Sequence, residues 1–329
     1  MSEDGNVMRI LLAVDTVATT EMLIAAVAAR PWPVGTEARV ISVVEDETVP
    51  QEVWREAGYH ADAVRQEMRR RGEQVSTLSV APLEWLGIKA EVAVLRGDPQ
   101  WQIPFEARKW SADLILIRAH NRTDFRNLML GSVARSVTRD APCSVEVVRP
   151  PKRGSAAAAG GHMRILLATD GSEHSASAAR VVAGRPWPYG TEVKVMSMVN
   201  PLAYSLEELG LYRGGRTERA HRAIDEAARI LTGAGLSVTA EVVAGRPAKR
   251  IISAAREMSA DLVAVGTEDR RGLRRLLYGS VSEVVARGAH CSVSIVRGTA
   301  ACGPSKGRVI TRRAATSRGP HRRSPFVPS

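Results

Sequence analysis

The chain has 329 residues, 44% of them apolar, so it can bury a substantial core and is long enough for about two domains. No apolar run approaches the roughly 18 residues that a membrane span needs, and the acidic start MSEDGNVMRI is not typical of a secretion signal. Cys143, Cys291 and Cys302 lack metal-ligand spacing, and their odd number argues against a disulfide framework. We therefore expect a cytoplasmic protein without membrane spans.

The formal net charge of +11 is concentrated in the C-terminal tail. Residues 298–329 contain seven Lys or Arg residues and no acidic residue, which leaves a net charge of only +4 for residues 1–297. The Gly, Pro and Ser content of this tail is typical of disorder. The simplest interpretation is a solvated basic extension, and the alternative is binding to nucleic acid or an anionic surface. We expect no nucleic-acid binding by the rest of the chain.

The chain contains an internal repeat. The segment MRILLAVD at residues 8–15 returns as MRILLATD at 163–170, and RPWPVGTE at 30–37 returns as RPWPYGTE at 185–192, both offset by 155 residues. Later landmarks, including the Cys-Ser-Val segments that begin at Cys143 and Cys291, are offset by 148 residues. Such a repeat predicts two structural units of the same kind.

The repeat divides the chain into four parts. Residues 1–149 form the first domain and residues 163–297 the second. Between them, residues 150–162 form a linker rich in Pro, Gly and Ala. The basic tail at 298–329 completes the chain.

Each copy alternates strand-like and helix-like segments, which predicts an α/β fold with a five-stranded parallel sheet and helices on both faces. In the second copy we expect strands near 163–169, 192–199, 236–243, 260–265 and 291–297 and helices near 174–184, 215–232, 247–258 and 280–288. In the first copy we expect strands near 8–14, 38–44, 88–95, 112–118 and 143–149. Its helical region at 52–86 is longer, with expected breaks near Gly72 and Pro82.

The stretch GTEDRRGLRRLLYGS, residues 266–280, has the features of a phosphate-binding loop. A buried strand leads into it, and a helix leaves it with a possible capping box formed by Ser280 and Glu283. Gly266 and Gly279 would let backbone N–H groups approach an anion at a helix N-terminus. A simpler interpretation is that the glycines permit turns and Ser280 caps the helix.

In open parallel sheets, ligands bind where the chain order reverses, so the ends of the first and fourth strands should meet. Asp170-Gly171-Ser172 stands at the first of these ends and the loop from Gly266 at the second. This pairing resembles the universal stress protein family, whose members carry a strand ending in Asp-Gly-Ser and a later G-x2-G-x9-G-[S/T] loop for ATP. The resemblance covers residues 8–149 and 163–297.

The resemblance implies two Rossmann-like domains, of the adenine nucleotide alpha hydrolase type, packed face to face as an intramolecular pseudo-dimer paired through the last strands. Assembly of whole chains into a homo-oligomer stays open. It also implies a stress-response role, with ATP or a related adenine nucleotide as cofactor. The residues that would bind the nucleotide are Asp170, Gly171, Ser172, Gly266, Thr267, Asp269, Gly279, Ser280 and Val281.

The second copy departs from the family pattern at Asp269, which stands at the second glycine position. A carboxylate about 4 Å from a phosphate charge costs roughly 4 kcal/mol at an effective dielectric near 20. The four arginines at 270, 271, 274 and 275 act in the opposite direction, and magnesium could recruit Asp269 as a ligand. The arginines could also form a solvated face or an interdomain contact.

The first copy departs further from the family pattern. Arg118 and Asn121 replace the first two glycines, Gly131-Ser132 remains, and Asp15 is followed by Thr-Val-Ala. An arginine at the strand exit would occupy the space of a nucleotide, so we interpret this copy as a structural partner that lost the site. The alternative is that Arg118 binds a smaller anion.

Other residues are better explained by packing or solvation. Asp170 could be only a turn residue, and His174 a solvated loop residue. Trp32 and Trp187 recur with the repeat and are expected to pack the first helix of each copy against its sheet, and Cys143 and Cys291 to be small buried fillers. No Ser-His-Asp set, paired carboxylates or zinc spacing is present, so nothing requires an enzyme, although slow ATP hydrolysis stays open. The alternative function is a nucleotide-independent scaffold with a basic attachment tail.

Overall fold

The computed structural model describes residues 7–45, 61–119, 130–150, 161–211, 214–267 and 280–297. These residues form two five-stranded parallel sheets that join into one ten-stranded sheet with the order β3-β2-β1-β4-β5-β10-β9-β6-β7-β8. The first-half strands are β1 (Arg9–Ala13), β2 (Glu37–Val44), β3 (Lys89–Arg96), β4 (Leu114–Arg118) and β5 (Ser144–Val148). The second-half strands are β6 (Arg164–Thr169), β7 (Glu192–Val199), β8 (Ser237–Ala244), β9 (Leu262–Thr267) and β10 (Ser292–Arg297).

Helices cover both faces of each half-sheet. In the first half they are α1 (Val17–Ala28), α2 (Ala61–Thr77), α3 (Val80–Trp85), α4 (Pro99–Trp110) and α5 (Ser132–Asp140). In the second half they are α6 (Glu173–Gly184), α7 (Pro201–Glu208), α8 (Arg216–Gly233), α9 (Pro247–Glu257) and α10 (Ser280–Gly288). The central strands, such as β1 and β4, are apolar and buried on both faces, as parallel strands between two helical layers must be.

The predicted strands are confirmed within one or two residues, and two details of the helices differ. Helix α2 continues through Gly72. A Cβ at this position would lie 3.2–3.3 Å from atoms of Ser42 and Val94, so the glycine lets the helix pack closely on the sheet. The break follows Thr77, and Pro82 lies in the first turn of α3, where a missing N–H costs nothing. Helix α7 was not predicted.

The two halves meet where β5 pairs antiparallel with β10, a contact that we call the seam. Val147 is aligned with Val293, Glu146 with Ser294, and Val145 with Ile295. The expected pairing of the last strands is therefore confirmed. The halves join edge to edge and not face to face, because the backbone groups on the inner edges of both sheets pair with each other instead of facing solvent.

Two arginines at equivalent positions of the repeat each donate hydrogen bonds across the seam to backbone carbonyls of the other half. Arg297 ends β10, and its Nη2 donates to the carbonyl oxygens of Thr138 and Arg139, at 2.7 and 2.6 Å, in the last turn of α5 of the other half. The equivalent Arg149 follows β5 and donates to the Ala286 and Cys291 carbonyls, of which Ala286 lies in α10. A cation is favourable at both places because the carbonyls that end a helix lack helical partners.

Replacing Arg297 with Met keeps the length of the side chain and removes the donors, so the two carbonyls in α5 lose a buried partner. We expect the free energy of unfolding to fall by about 1–3 kcal/mol, measured by urea denaturation of the full chain. Arg287→Met, at an exposed position of α10, is the control and should stay within about 0.5 kcal/mol of wild type. Equal stabilities of the two variants would contradict the role given to Arg297.

Candidate functional site

The carboxyl ends of β6 and β9 form the described part of the site predicted in the second half. The two strands pair in parallel. Asp170, Gly171 and Ser172 follow β6 directly. Gly266 and Thr267 are the last two residues of β9. The parallel register therefore brings these five predicted residues to the edge of the sheet at which ligands bind in open α/β folds.

A tight turn between β6 and α6 holds the Asp170 carboxylate. Its Oδ1 accepts a hydrogen bond from the Ser172 N–H at 3.0 Å, and Gly171 between them has a φ of +76°, which glycine adopts without strain. Ser172 is the N-cap of α6, and its hydroxyl oxygen accepts from the Ser175 N–H at 3.2 Å.

The environment of Asp170 favours its charged form. Burial by itself raises the pKa of Asp170, but hydrogen bonds from Ser172 and Ser175 outweigh burial and hold the pKa below its usual value. The carboxylate is therefore ionised at neutral pH and can only accept hydrogen bonds. It can accept a hydrogen bond from a hydroxyl or amino group of a ligand, and its charge repels a phosphate.

Gly266 has a packing role that does not depend on any ligand. A Cβ at this position would lie 2.7 Å from the carbonyl oxygen of His174, in the first turn of α6. The glycine therefore lets α6 approach the end of β9 closely. His174 is a half-buried helix residue and not the solvated loop residue that we expected.

Helix α10 brings its N-terminus to the second-half site. It begins at Ser280, so Ser280 is not its N-cap, and the expected capping box is wrong. Glu283 instead places its carboxylate 2.6 Å from the guanidinium of Arg135 in the first half. The half-buried Val281 side chain packs against the apolar core of the second half. Asp269 and Gly279, like the arginines of this loop, lie outside the described residues.

The corresponding edge of the first half holds a cavity of about 280 Å³. Its lining combines apolar side chains from β2, α4 and β4 with the polar groups of Asp15, Thr19, Glu45 and Arg118. Gly131 and Ser132, at the N-terminus of α5, also line it. Sequence reasoning did not identify this cavity, although the surviving Gly131-Ser132 pair indicated its position.

Arg118 is one of the residues that line this cavity. Its Nη1 donates to the Thr19 hydroxyl at 3.3 Å, and that hydroxyl donates to Asp15 Oδ1. The hydrogen bonds hold the guanidinium beside the first turn of α1. Asn121 lies outside the described residues.

The remaining candidates have structural roles. The indole N–H of Trp32 donates to Val27 of α1, and that of Trp187 to Val182 of α6, each at 2.7 Å, which confirms that they pack the first helix of each half. Cys143 and Cys291 are buried. Burial, with a contribution from the Asp113 carboxylate, raises the pKa of Cys143 to about 12, so the group is an unreactive thiol.

Across the part of the chain that the structure describes, no group of three or more His, Cys, Asp or Glu residues is arranged to hold a metal ion. A separate search of the same residues finds no helix that is both long and apolar enough to span a bilayer.

The contact at Gly266 leads to a stability prediction. In Gly266→Ala the new methyl group would press on backbone atoms of α6, and we expect the free energy of unfolding to fall by about 1–3 kcal/mol without any ligand present. Gly184→Ala is the control, since a Cβ there meets open space, and it should be neutral or slightly stabilising. Thermal denaturation of both variants measures the difference; a fully stable Gly266→Ala protein would show that the glycine is not required for packing.

Comparison with known proteins agrees with the repeat and with the fold. Residues 6–149 and 162–297 each match the model of the Universal stress protein family. A universal stress protein of Thermus aquaticus is 36% identical over 137 residues, covering 40% of this chain and 97% of that protein. Another, from Methanocaldococcus jannaschii, is 29% identical over 144 residues, covering 41% of this chain and 82% of that one.

A solved structure extends the likeness over both halves. The crystal structure of a universal stress protein from Archaeoglobus fulgidus matches with a TM-score of 0.62 at 20% identity, covering 88% of this chain and 96% of that chain. At this identity the likeness concerns the fold, whereas the two family matches concern ancestry. The chain therefore belongs to the universal stress protein family and carries two copies of the family's domain in tandem.

Proposed function

We propose that this universal stress protein acts in the stress response of the cytoplasm by binding ATP, or a related adenine nucleotide, in its second half. The observation that carries the proposal is the arrangement of the Asp170–Ser172 turn beside Gly266 and Thr267, at the edge where α10 begins with Ser280. These positions match the strand end and loop that the family resemblance associates with ATP.

The chemistry of this edge suits the two ends of a nucleotide. The ionised Asp170 carboxylate would accept hydrogen bonds from a sugar hydroxyl or an amino group. The N-terminus of α10 offers backbone N–H groups and the positive end of a helix dipole to the phosphates. The four arginines at 270, 271, 274 and 275 would add positive charge near the phosphates. Binding should therefore be sensitive to salt. Its affinity should be modest, because the Asp269 carboxylate in the same loop opposes the phosphates.

The alternative function is a nucleotide-independent scaffold that attaches to partners through its basic tail. One observation favours it: packing against α6 explains Gly266 without any ligand. Asp269, an acidic residue at a glycine position of the loop, favours it too. Nucleotide binding remains the proposal because packing against α6 accounts for Gly266 but not for the Gly279-Ser280 pair, which completes the family loop.

We expect one nucleotide per chain, bound in the second half, because only that half combines Gly266 with the Gly279-Ser280 pair. Gly279→Val should abolish ATP binding by blocking close approach of the phosphates to the backbone. Gly131→Val, at the equivalent position of the first half, should leave the affinity unchanged. Isothermal titration of ATP into the three proteins measures this; two equivalent sites, or equal effects of the two substitutions, would overturn the assignment.

Asp269 allows the two possible roles of its carboxylate to be separated. If it repels the phosphates, as we expect, Asp269→Gly should tighten ATP, since it removes a negative charge and restores a residue that permits close backbone approach. If it holds magnesium, the same change should weaken ATP, and only with the metal present. Titrations of both proteins with and without magnesium distinguish these cases. Identical affinities under all conditions would exclude Asp269 from the site.

A further inference from the structure

The centre of the seam contains one buried carboxylate between two arginines. Glu146 of β5 lies directly opposite Ser294 of β10. Arg30 donates to Glu146 through Nη1, at 3.0 Å, and through Nη2. Arg185, the repeat equivalent of Arg30, donates to Ser294 at 2.9 Å and lies 3.8 Å from Glu146. The arginines that begin the two repeated RPWP motifs therefore both contact the Glu146 carboxylate.

These groups are removed from water. The side chains of Arg30, Glu146 and Arg185 are 3%, 1% and 5% exposed. Burial lowers the pKa of the Arg185 guanidinium to about 10; Glu146 opposes this shift and Arg30 adds to it. The Arg30 guanidinium also lies over the Trp187 ring of the other half, 4.9 Å from its centroid. A buried cluster of this kind is costly to disturb, because removing one partner leaves an uncompensated charge.

A second pair of opposite charges crosses the seam nearer the surface. Arg135 is the fourth residue of α5, Glu283 is the fourth residue of α10, and their charged groups lie 2.6 Å apart. The two positions are separated by 148 residues, so they are the same position of the repeat. The same is true of Glu146 and Ser294. At both places the equivalent positions carry different residues: Arg135 and Glu283 pair directly at the outer place, and Arg185 contacts both Glu146 and Ser294 at the central place.

We propose that the seam is a heterotypic recognition surface, on which each half binds the other half and rejects a copy of itself. Two second halves joined in this way would bury two Arg185 side chains without a carboxylate and would place Glu283 against Glu283. Two first halves would place Arg135 against Arg135, and they would place Glu146 directly opposite Glu146, each still paired with the Arg30 of its own half. Only the combination of a first and a second half pairs opposite charges at the outer place, and at the central place it gives Arg185 the carboxylate that the second half lacks.

Single substitutions in the full chain reproduce these like-with-like arrangements without separating the halves. Glu146→Ser gives both halves serine at the central position, as in a pair of second halves. Arg135→Glu gives both halves glutamate at the outer position, and Glu283→Arg gives both halves arginine. The reciprocal exchanges Glu146→Ser/Ser294→Glu and Arg135→Glu/Glu283→Arg restore complementarity with the charges on opposite halves.

Denaturation midpoints of the full-length variants test the proposal. Glu146→Ser should raise the unfolding equilibrium constant by about 100-fold or more, and Ser294→Glu added to it should recover a large part of that loss. Arg135→Glu and Glu283→Arg should each lower the midpoint, and the double exchange should return it towards wild type. The outer pair is exposed enough for its variants to fold even if Glu146→Ser does not.

Glu106→Ser provides the matched control, because Glu106 is a buried carboxylate that pairs with Arg39 inside the first half. Its loss of stability should not be recovered by Ser294→Glu. The proposal is overturned if the exchanges are no more stable than their parent single variants, if the single variants match wild type, or if Ser294→Glu rescues Glu106→Ser equally well.

Discussion

The pairing of β5 with β10 is the constraint on which the rest of the molecule depends. It covers the inner edges of both half-sheets and lets Arg149 and Arg297 reach the last turns of helices in the opposite half. It also joins the first turns of α5 and α10 through Arg135 and Glu283. The contact that holds the halves together therefore also joins the N-terminal turns of these two helices.

The two halves share one architecture and differ in the chemistry of their strand ends. The second half carries a glycine at the end of β9, which lets α6 approach closely, and a turn that keeps Asp170 ionised. The first half carries Arg118 at the equivalent position, hydrogen-bonded beside α1, and leaves a cavity of about 280 Å³. This volume is just below the roughly 300–1,000 Å³ of small-molecule pockets.

Local pattern and repetition in the sequence predicted the strands, most helices and the strand-end turns, and the family resemblance implied the joining of the last strands. The sequence did not predict what depends on tertiary contact. Gly72 was expected to interrupt a helix, since glycine is a poor helix former. Only the folded sheet shows that a side chain at this position would collide with Ser42 and Val94. The converging arginines were missed as well, although Glu146 in an otherwise apolar strand was a visible anomaly. The central loop residue of the site, Asp269, lies outside the described residues, so its role still rests on the sequence.

We propose that this tandem protein, with two copies of one domain, uses one of them for a nucleotide. Mass spectrometry of the ligand released on denaturing the purified protein tests it most directly. We expect an adenine nucleotide at no more than one per chain, absent from Gly279→Val protein and retained by Gly131→Val protein. Two nucleotides per chain, or a ligand lost from the Gly131→Val protein and kept by the Gly279→Val protein, would contradict it.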